Sequence, residues 1–204
     1  MTISAVIFDL GGVLLRTENR DPRENLASRL SMTYAELDDL VFNSESARKA
    51  MRGEITSLEH WENTRLKLGL TSSEFASVPK EFWAGDKLDN ELVDYLRSLR
   101  PEYKTALLSN AWDDLRPALQ DHLQILDAFD ETIISAEVGF TKPDPNIYQI
   151  ALERLEVPPQ EAVFVDDFVE NVEAAHKLGL HSIHFRYPAQ VVEEINALLV
   201  AGDR

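Results

Sequence analysis

Apolar residues recur along this chain in two rhythms, and the change of rhythm divides it. Ala5-Val6-Ile7-Phe8 is an unbroken apolar run ending at Asp9; Gly11-Gly12 and a second run, Val13-Leu14-Leu15, follow. A run this short, without alternation, predicts a strand buried on both faces, as in a parallel sheet. The glycines let the chain leave that strand sharply and bring bare backbone close to a ligand. Asp9 then falls at the carboxyl end of a central strand, where open α/β sheets bind ligands.

From Arg23 to about Trp83 the spacing is helical. Thr33 begins a helix read through Leu37, Leu40 and Val41, and Ser44 caps another that stops at Gly53. Thr56-Ser57-Leu58-Glu59 has capping-box spacing and opens a helix ending at Gly69; Thr71 or Ser72 starts a fourth segment, interrupted at Pro79. No strand-like alternation appears in this stretch, so a small helical bundle is expected.

Beyond it, strands and helices alternate. Helices are expected over 90–99, 113–123, 145–155, 168–178 and 191–199, and short buried strands over 104–108, 131–135, 162–165 and 181–185. That order implies α/β architecture: a Rossmann-like, doubly wound parallel sheet with helices on both faces and the bundle inserted after its first strand. The expected core is 1–15 with 88–204, and the insertion is 16–87.

Composition sharpens the division. From Arg16 to Lys87 the chain carries 13 acidic and 11 basic residues; the rest carries 23 and 9, within a net charge of −16. Such acidity argues against nucleic acid or an anionic membrane as partner. The chain has no cysteine, which excludes disulfides, thiolate metal sites and thiol catalysis. The first residues lack a basic patch and no stretch nears the ~20 apolar residues of a membrane span, so a cytoplasmic location is expected.

Polar residues gather at other strand ends as Asp9 does. The strand over 104–108 ends in Ser109-Asn110; the strand over 162–165 ends in Asp166-Asp167, with Glu170 and Asn171 close behind. Thr141-Lys142-Pro143-Asp144-Pro145 puts a lysine in a loop just before a helix. Singly, these read as a turn, a helix cap and a surface loop. Together they would place a carboxylate nucleophile, a hydroxyl-amide pair, a lysine and two carboxylates along one sheet edge. Crowded carboxylates are costly unless a cation neutralises them. Oxygen and amide neighbours suit a hard divalent ion, Mg²⁺ above all where phosphate is the other ligand.

The order Asp9, Ser109, Lys142, Asp166-Asp167 resembles the four motifs of the haloacid dehalogenase-like hydrolase superfamily. The helical insertion is similar to the cap of the branch that holds many small sugar-phosphate phosphatases. The resemblance implies a Mg²⁺-dependent phosphatase of a small phosphorylated metabolite, with sugar phosphates favoured. Asp9 would be the nucleophile, giving an aspartyl-phosphate that water hydrolyses. It also implies metal binding by Asp9, the carbonyl of Gly11 and Asp167, with Asp166 and Asn171 steering the ion's water shell. Ser109, Asn110 and the adjacent backbone would bind phosphoryl oxygens, and Lys142 would neutralise phosphate and nucleophile together.

One position departs from the pattern. Phosphatases of this superfamily usually carry a second aspartate two residues after the nucleophile, as general acid and base; here it is Gly11. Such a group contributes about 10²- to 10⁴-fold, roughly 3 to 5 kcal/mol. The glycine keeps open a phospho-ligand binding protein with vestigial catalysis. A 2-haloacid dehalogenase also lacks the second aspartate, but has no use for Asp166-Asp167. In the insertion, Arg16 and Arg20, or Arg48, Lys49 and Arg52, could reach a second anionic group. His60, Trp61 and Trp83 read as packing, Glu18 and His60 being the first places to seek a substitute acid. His122, His176, His181 and His184 are scattered and suggest no metal cluster.

Overall fold

The structure, a computed structural model, describes residues 2–100 and 102–202; the expected core limits at 1 and 204 lie outside them. Five parallel strands form the sheet: β1 (Ala5–Phe8), β4 (Lys104–Ser109), β5 (Glu131–Ile134), β6 (Ala162–Asp166) and β7 (His181–His184), in the order β5-β4-β1-β6-β7. β1 is central, with Phe8 in register with Leu107 on one side and Val165 on the other.

The unbroken apolar run of β1 is explained by what covers it. Val6 and Phe8 pack with Leu92 and Leu96 of α7 (Asn90–Leu99) and with Val191 and Ile195 of α12 (Pro188–Gly202). Ala5 and Ile7 face the other way, against Ile147, Tyr148 and Ala151 of α10 (Pro145–Leu155) and Ala175 of α11 (Val169–Lys177). All four β1 residues are fully buried, and burying each large apolar side chain stabilises by about 1.5–3 kcal/mol.

The insertion consists of α1 (Asp21–Arg29), α2 (Tyr34–Phe42), α3 (Glu45–Met51), α4 (Ser57–Lys67), α5 (Ser72–Phe75) and α6 (Val78–Trp83). Thr33, Thr56 and Thr71 each close a capping box, with Glu36, Glu59 and Glu74. The last segment is interrupted as expected, between Phe75 and Val78, and Pro79 occupies the first turn of α6, where its missing N–H costs nothing. Arg23 is 4% exposed in this bundle. It stacks over the Phe82 ring at 4.0 Å, donates to the Phe82 carbonyl and pairs with Asp38 and Asp86.

Two features depart from the sequence expectation. The insertion is bracketed by a short antiparallel ribbon, β2 (Leu15–Thr17) with β3 (Asp86–Leu88). Three-residue strands carry too little alternation to be read, and their partners lie some 70 residues apart. The helix expected over 113–123 is instead α8 (Leu115–Pro117) followed by a π-helical turn over Ala118–His122. A short helix α9 (Ser135–Val138) follows β5.

Candidate active site

Immediately after β1 the chain reverses. The Leu10 carbonyl accepts from the N–H groups of Val13, Leu14 and Leu15, and Gly12 donates to Leu15. Asp9 stays tied to the sheet through its N–H on the Val165 carbonyl, 2.9 Å away. Gly12 has φ +75°, and a Cβ there would lie 2.1 Å from Asp167 Oδ2. A glycine at 12 is therefore what lets the Asp167 carboxylate reach the turn after β1. Gly11 differs: it has ordinary φ, and a Cβ would meet nothing within 4 Å.

Asp9, Lys142, Asp166 and Asp167 converge at this edge. Lys142 Nζ lies 2.8 Å from Asp9 Oδ1 and 2.7 Å from Asp166 Oδ2, with its side chain 1% exposed. Burial disfavours the charged ammonium, but the charges of Asp9 and Asp166 outweigh it and raise the Lys142 pKa. Asp9 Oδ1 also accepts from Leu10 N–H at 2.7 Å. Burial pushes the Asp9 carboxyl up to about 7, opposed by Lys142 and reinforced by Asp166 and Asp167. Asp167 is raised to about 6, mainly by burial and then by Asp166.

Asp166 has little capacity left for a metal. Its Oδ1 accepts from Phe168 N–H and Asn171 Nδ2, and its Oδ2 from Lys142 Nζ and Asn171 Nδ2. Asn171 in turn is held by the Tyr148 hydroxyl on its carbonyl, 3.0 Å away. Asp167 is the opposite case: its Oδ1 is buried with no hydrogen-bond partner. An unpartnered buried carboxylate oxygen is costly unless something cationic completes it. Ligand oxygens of Asp9, Asp166 and Asp167 lie within 4.8 Å of one another. An all-oxygen donor set with an orphaned carboxylate oxygen fits Mg²⁺.

Ser109, at the end of β4, is 4% exposed. The Asn110 side chain is turned to the Lys142 backbone: Nδ2 donates to the Lys142 carbonyl at 2.9 Å and Oδ1 accepts from Lys142 N–H at 2.7 Å. The amide is a clamp on the lysine's backbone. No local signal in the sequence announces that pairing, which joins residues 32 positions apart.

The insertion's cations are mostly committed. Arg16 donates to the Val13 carbonyl and pairs with Asp89 at 2.8 Å. Lys49 pairs with Glu45 and Arg52 with Glu54, while Arg48 donates to the Asn43 carbonyl. Arg20 stacks on Tyr34 at 4.2 Å. His60 is fully buried, Nδ1 2.9 Å from Ser46 Oγ, and burial lowers its pKa. Trp61 packs among Phe75, Phe82 and Trp112. Among the described residues the carboxylate trio is the one group of such ligands drawn together, with no histidine in it. No helix among them is long and apolar enough to cross a membrane.

The chain is similar to known proteins. A family model described as haloacid dehalogenase-like hydrolase matches residues 3–179. A phosphorylated carbohydrates phosphatase of Thermotoga maritima is 30% identical over 208 residues, 98% of this chain and 92% of that protein. A sesquiterpene phosphatase of Aspergillus oryzae is 28% identical over 202 residues, 97% of each. The structure of a Bacteroides thetaiotaomicron enzyme of the same family, in complex with magnesium and inorganic phosphate, has a TM-score of 0.76. It is 24% identical and covers 90% of this chain and 94% of that one, a likeness of fold.

Proposed function

The chain belongs to the haloacid dehalogenase-like hydrolases and is a phosphatase of that family, and on that premise we propose that it hydrolyses small phosphorylated metabolites, sugar phosphates foremost, with Mg²⁺ as cofactor and an aspartyl-phosphate on Asp9. The observation that carries this reading is the inequality of the Asp9 oxygens. Oδ1 is held by Leu10 N–H and Lys142 Nζ, which fixes the carboxylate and leaves Oδ2 to react.

Oδ2 attacks phosphorus in line with the ester bond. A P–O bond to Asp9 forms as the ester P–O bond breaks, and the departing alkoxide takes a proton from solvent. Water then hydrolyses the acyl phosphate, freeing Asp9 and inorganic phosphate. Lys142, held charged between Asp9 and Asp166, stabilises the equatorial oxygens. The Ser109 hydroxyl and the backbone beyond it donate to the same oxygens. Asp9, Asp167 and the Gly11 carbonyl would hold Mg²⁺, which when bound supplies the remaining positive charge that a chain at −16 lacks. Asp166 and Asn171 act through Lys142. Residues 16–87 form a cap over this edge of a core made of 1–15 and 88–204, and the cap sets substrate choice. Likeness to the carbohydrate-phosphate phosphatase supports the sugar-phosphate preference.

Turnover of p-nitrophenyl phosphate tests the reading. It should require Mg²⁺, and Asp9→Asn should leave a few per cent or less of the rate with the fold intact, since an amide is a poor nucleophile. Hydrolysis that survives thorough chelation, or persists in Asp9→Asn, would sink the assignment. Metal-independent halide release from 2-chloropropionate would make the protein a dehalogenase instead.

A further inference from the structure

The residues after Ser109 are tied first to the core and then to the insertion. Asn110 clamps the Lys142 backbone from both sides. Ala111 is bound to Ser135: its N–H donates to Ser135 Oγ at 3.0 Å, and its carbonyl accepts from the same hydroxyl at 3.0 Å. Trp112 then leaves the core altogether. Its ring is 6% exposed and sits in the insertion's own apolar cluster. Ring centroids of His60, Trp61 and Trp83 lie 4.6, 5.6 and 6.3 Å away. Asp113 Oδ1 accepts from the N–H of Ser57, the first residue of α4, at 2.8 Å.

A second contact braces the same seam from the other side. Gly53, at φ +68°, lies so close to Ala136 that a Cβ would stand 2.2 Å from its carbonyl oxygen. Ala136 N–H in turn donates to the Ala111 carbonyl. The stretch 110–113 therefore runs from the residue that holds Lys142 to two residues gripped by the helices. Four residues reach at most about 14 Å when fully extended, so there is little slack to absorb a shift of the insertion.

We infer that Trp112 is a positioning residue: its ring, anchored in the insertion, sets the placement of Ser109 and Lys142 through the strap 110–113. The inference rests on the phosphatase reading, because it assigns the strap to the phosphate-binding side of that site. Packing, rather than a hydrogen bond, does the anchoring, since Trp112 Nε1 is buried without a partner. Phenylalanine should therefore serve nearly as well as tryptophan, and alanine should not. Asp9 and Asp167 leave from β1 and β6, so Mg²⁺ affinity should be indifferent to position 112.

The test compares wild type with Trp112→Ala, Trp112→Phe and Trp112→Leu, below the melting temperature of each. Three quantities are read: turnover of p-nitrophenyl phosphate, calorimetric binding of inorganic phosphate with Mg²⁺, and the Mg²⁺ concentration for half-maximal effect. Trp112→Ala should lose on the order of tenfold to a hundredfold in kcat, as a displaced catalytic group does, and should bind phosphate more weakly at unchanged Mg²⁺ requirement. Trp112→Phe should recover to within about threefold, as a swap that preserves packing does. A folded Trp112→Ala with wild-type kcat and phosphate affinity would overturn the inference. So would Trp112→Phe failing as badly as alanine, because an aromatic ring in the same pocket should keep the anchor. If Trp112→Ala does not fold, Trp112→Leu decides: it keeps the position apolar while removing the ring contacts, and wild-type kcat and phosphate affinity there would equally overturn the proposal. A wild type that binds phosphate but turns nothing over would refute the phosphatase reading, while the binding comparison would still judge the strap; one that neither binds nor turns over would end both.

Discussion

Gly11 and Gly12 are adjacent, yet only the second is required by geometry. Gly12 combines positive φ with the approach of Asp167, whereas Gly11 stands in open space with ordinary backbone. An aspartate at 11 is therefore accommodated, and position 11 is where a proton donor for the leaving group is missing. The two substitutes worth considering in the sequence both have partners of their own. His60 is buried, with Nδ1 on Ser46 Oγ, and burial lowers its pKa. Glu18 is drawn toward Arg16 and Lys87, at 3.5 and 3.7 Å. We expect wild-type rates to fall steeply as the leaving-group pKa rises from aryl to primary alkyl phosphates. Gly11→Asp should flatten that slope and gain up to about 10²-fold on alkyl esters, the lower end for general acid catalysis. A folded, Mg²⁺-binding Gly11→Asp that gains nothing there would show that the glycine is not a missing acid.

Among the elements, those with local signals were legible and those closed by distant partners were not. The capping threonines at 33, 56 and 71, and the helices Asn90–Leu99 and Pro145–Leu155, follow from caps, apolar spacing and a first-turn proline. The β2–β3 ribbon and the Asn110 clamp follow from pairings that exist only once the chain has folded. The clamp has its own consequence. Asn110→Ala removes two hydrogen bonds on the Lys142 backbone, and each contributes about 0.5–1.5 kcal/mol net. Urea unfolding should register a loss of about 1–3 kcal/mol, with kcat falling more than KM rises. A variant as stable as wild type, with only KM raised, would return Asn110 to the role of phosphate ligand.

For the whole molecule, the site is a concentration of negative charge inside a chain that is already strongly acidic. The folded Asp9 and Asp167 carboxyls are raised to about 7 and about 6, burial being the largest cause in each, against an ordinary value near 3.9 in the unfolded chain. Between those values the folded protein holds more protons than the unfolded one, so stability falls as pH rises. The contribution is fully present below the unfolded pKa and is lost as pH passes through about 6 to 7. Without divalent cations, Asp9→Asn should therefore melt higher than wild type, by a margin that widens from pH 5 to pH 8. Saturating Mg²⁺ should shrink or reverse the margin, because the wild type binds the ion better. A margin independent of both pH and Mg²⁺ would mean that Asp9 is not strained by its neighbours.

The alternation of the five sheet strands with helices, the buried character of β1 and the identity of the polar residues at the strand ends were all determined by the sequence, because each depends on neighbours within a few positions. Asp9, Lys142 and the Asp166-Asp167 pair could be named from the chain alone for that reason. Folding decided what each carboxylate is free to do. Asp166 is consumed by Lys142 and Asn171, while Asp167 keeps an oxygen without a partner. Only the fold, too, carried Trp112 out of a strand-end loop into the core of the insertion. Adjacent residues in an irregular segment share no repeating direction, so their partners are fixed by how distant elements pack around them.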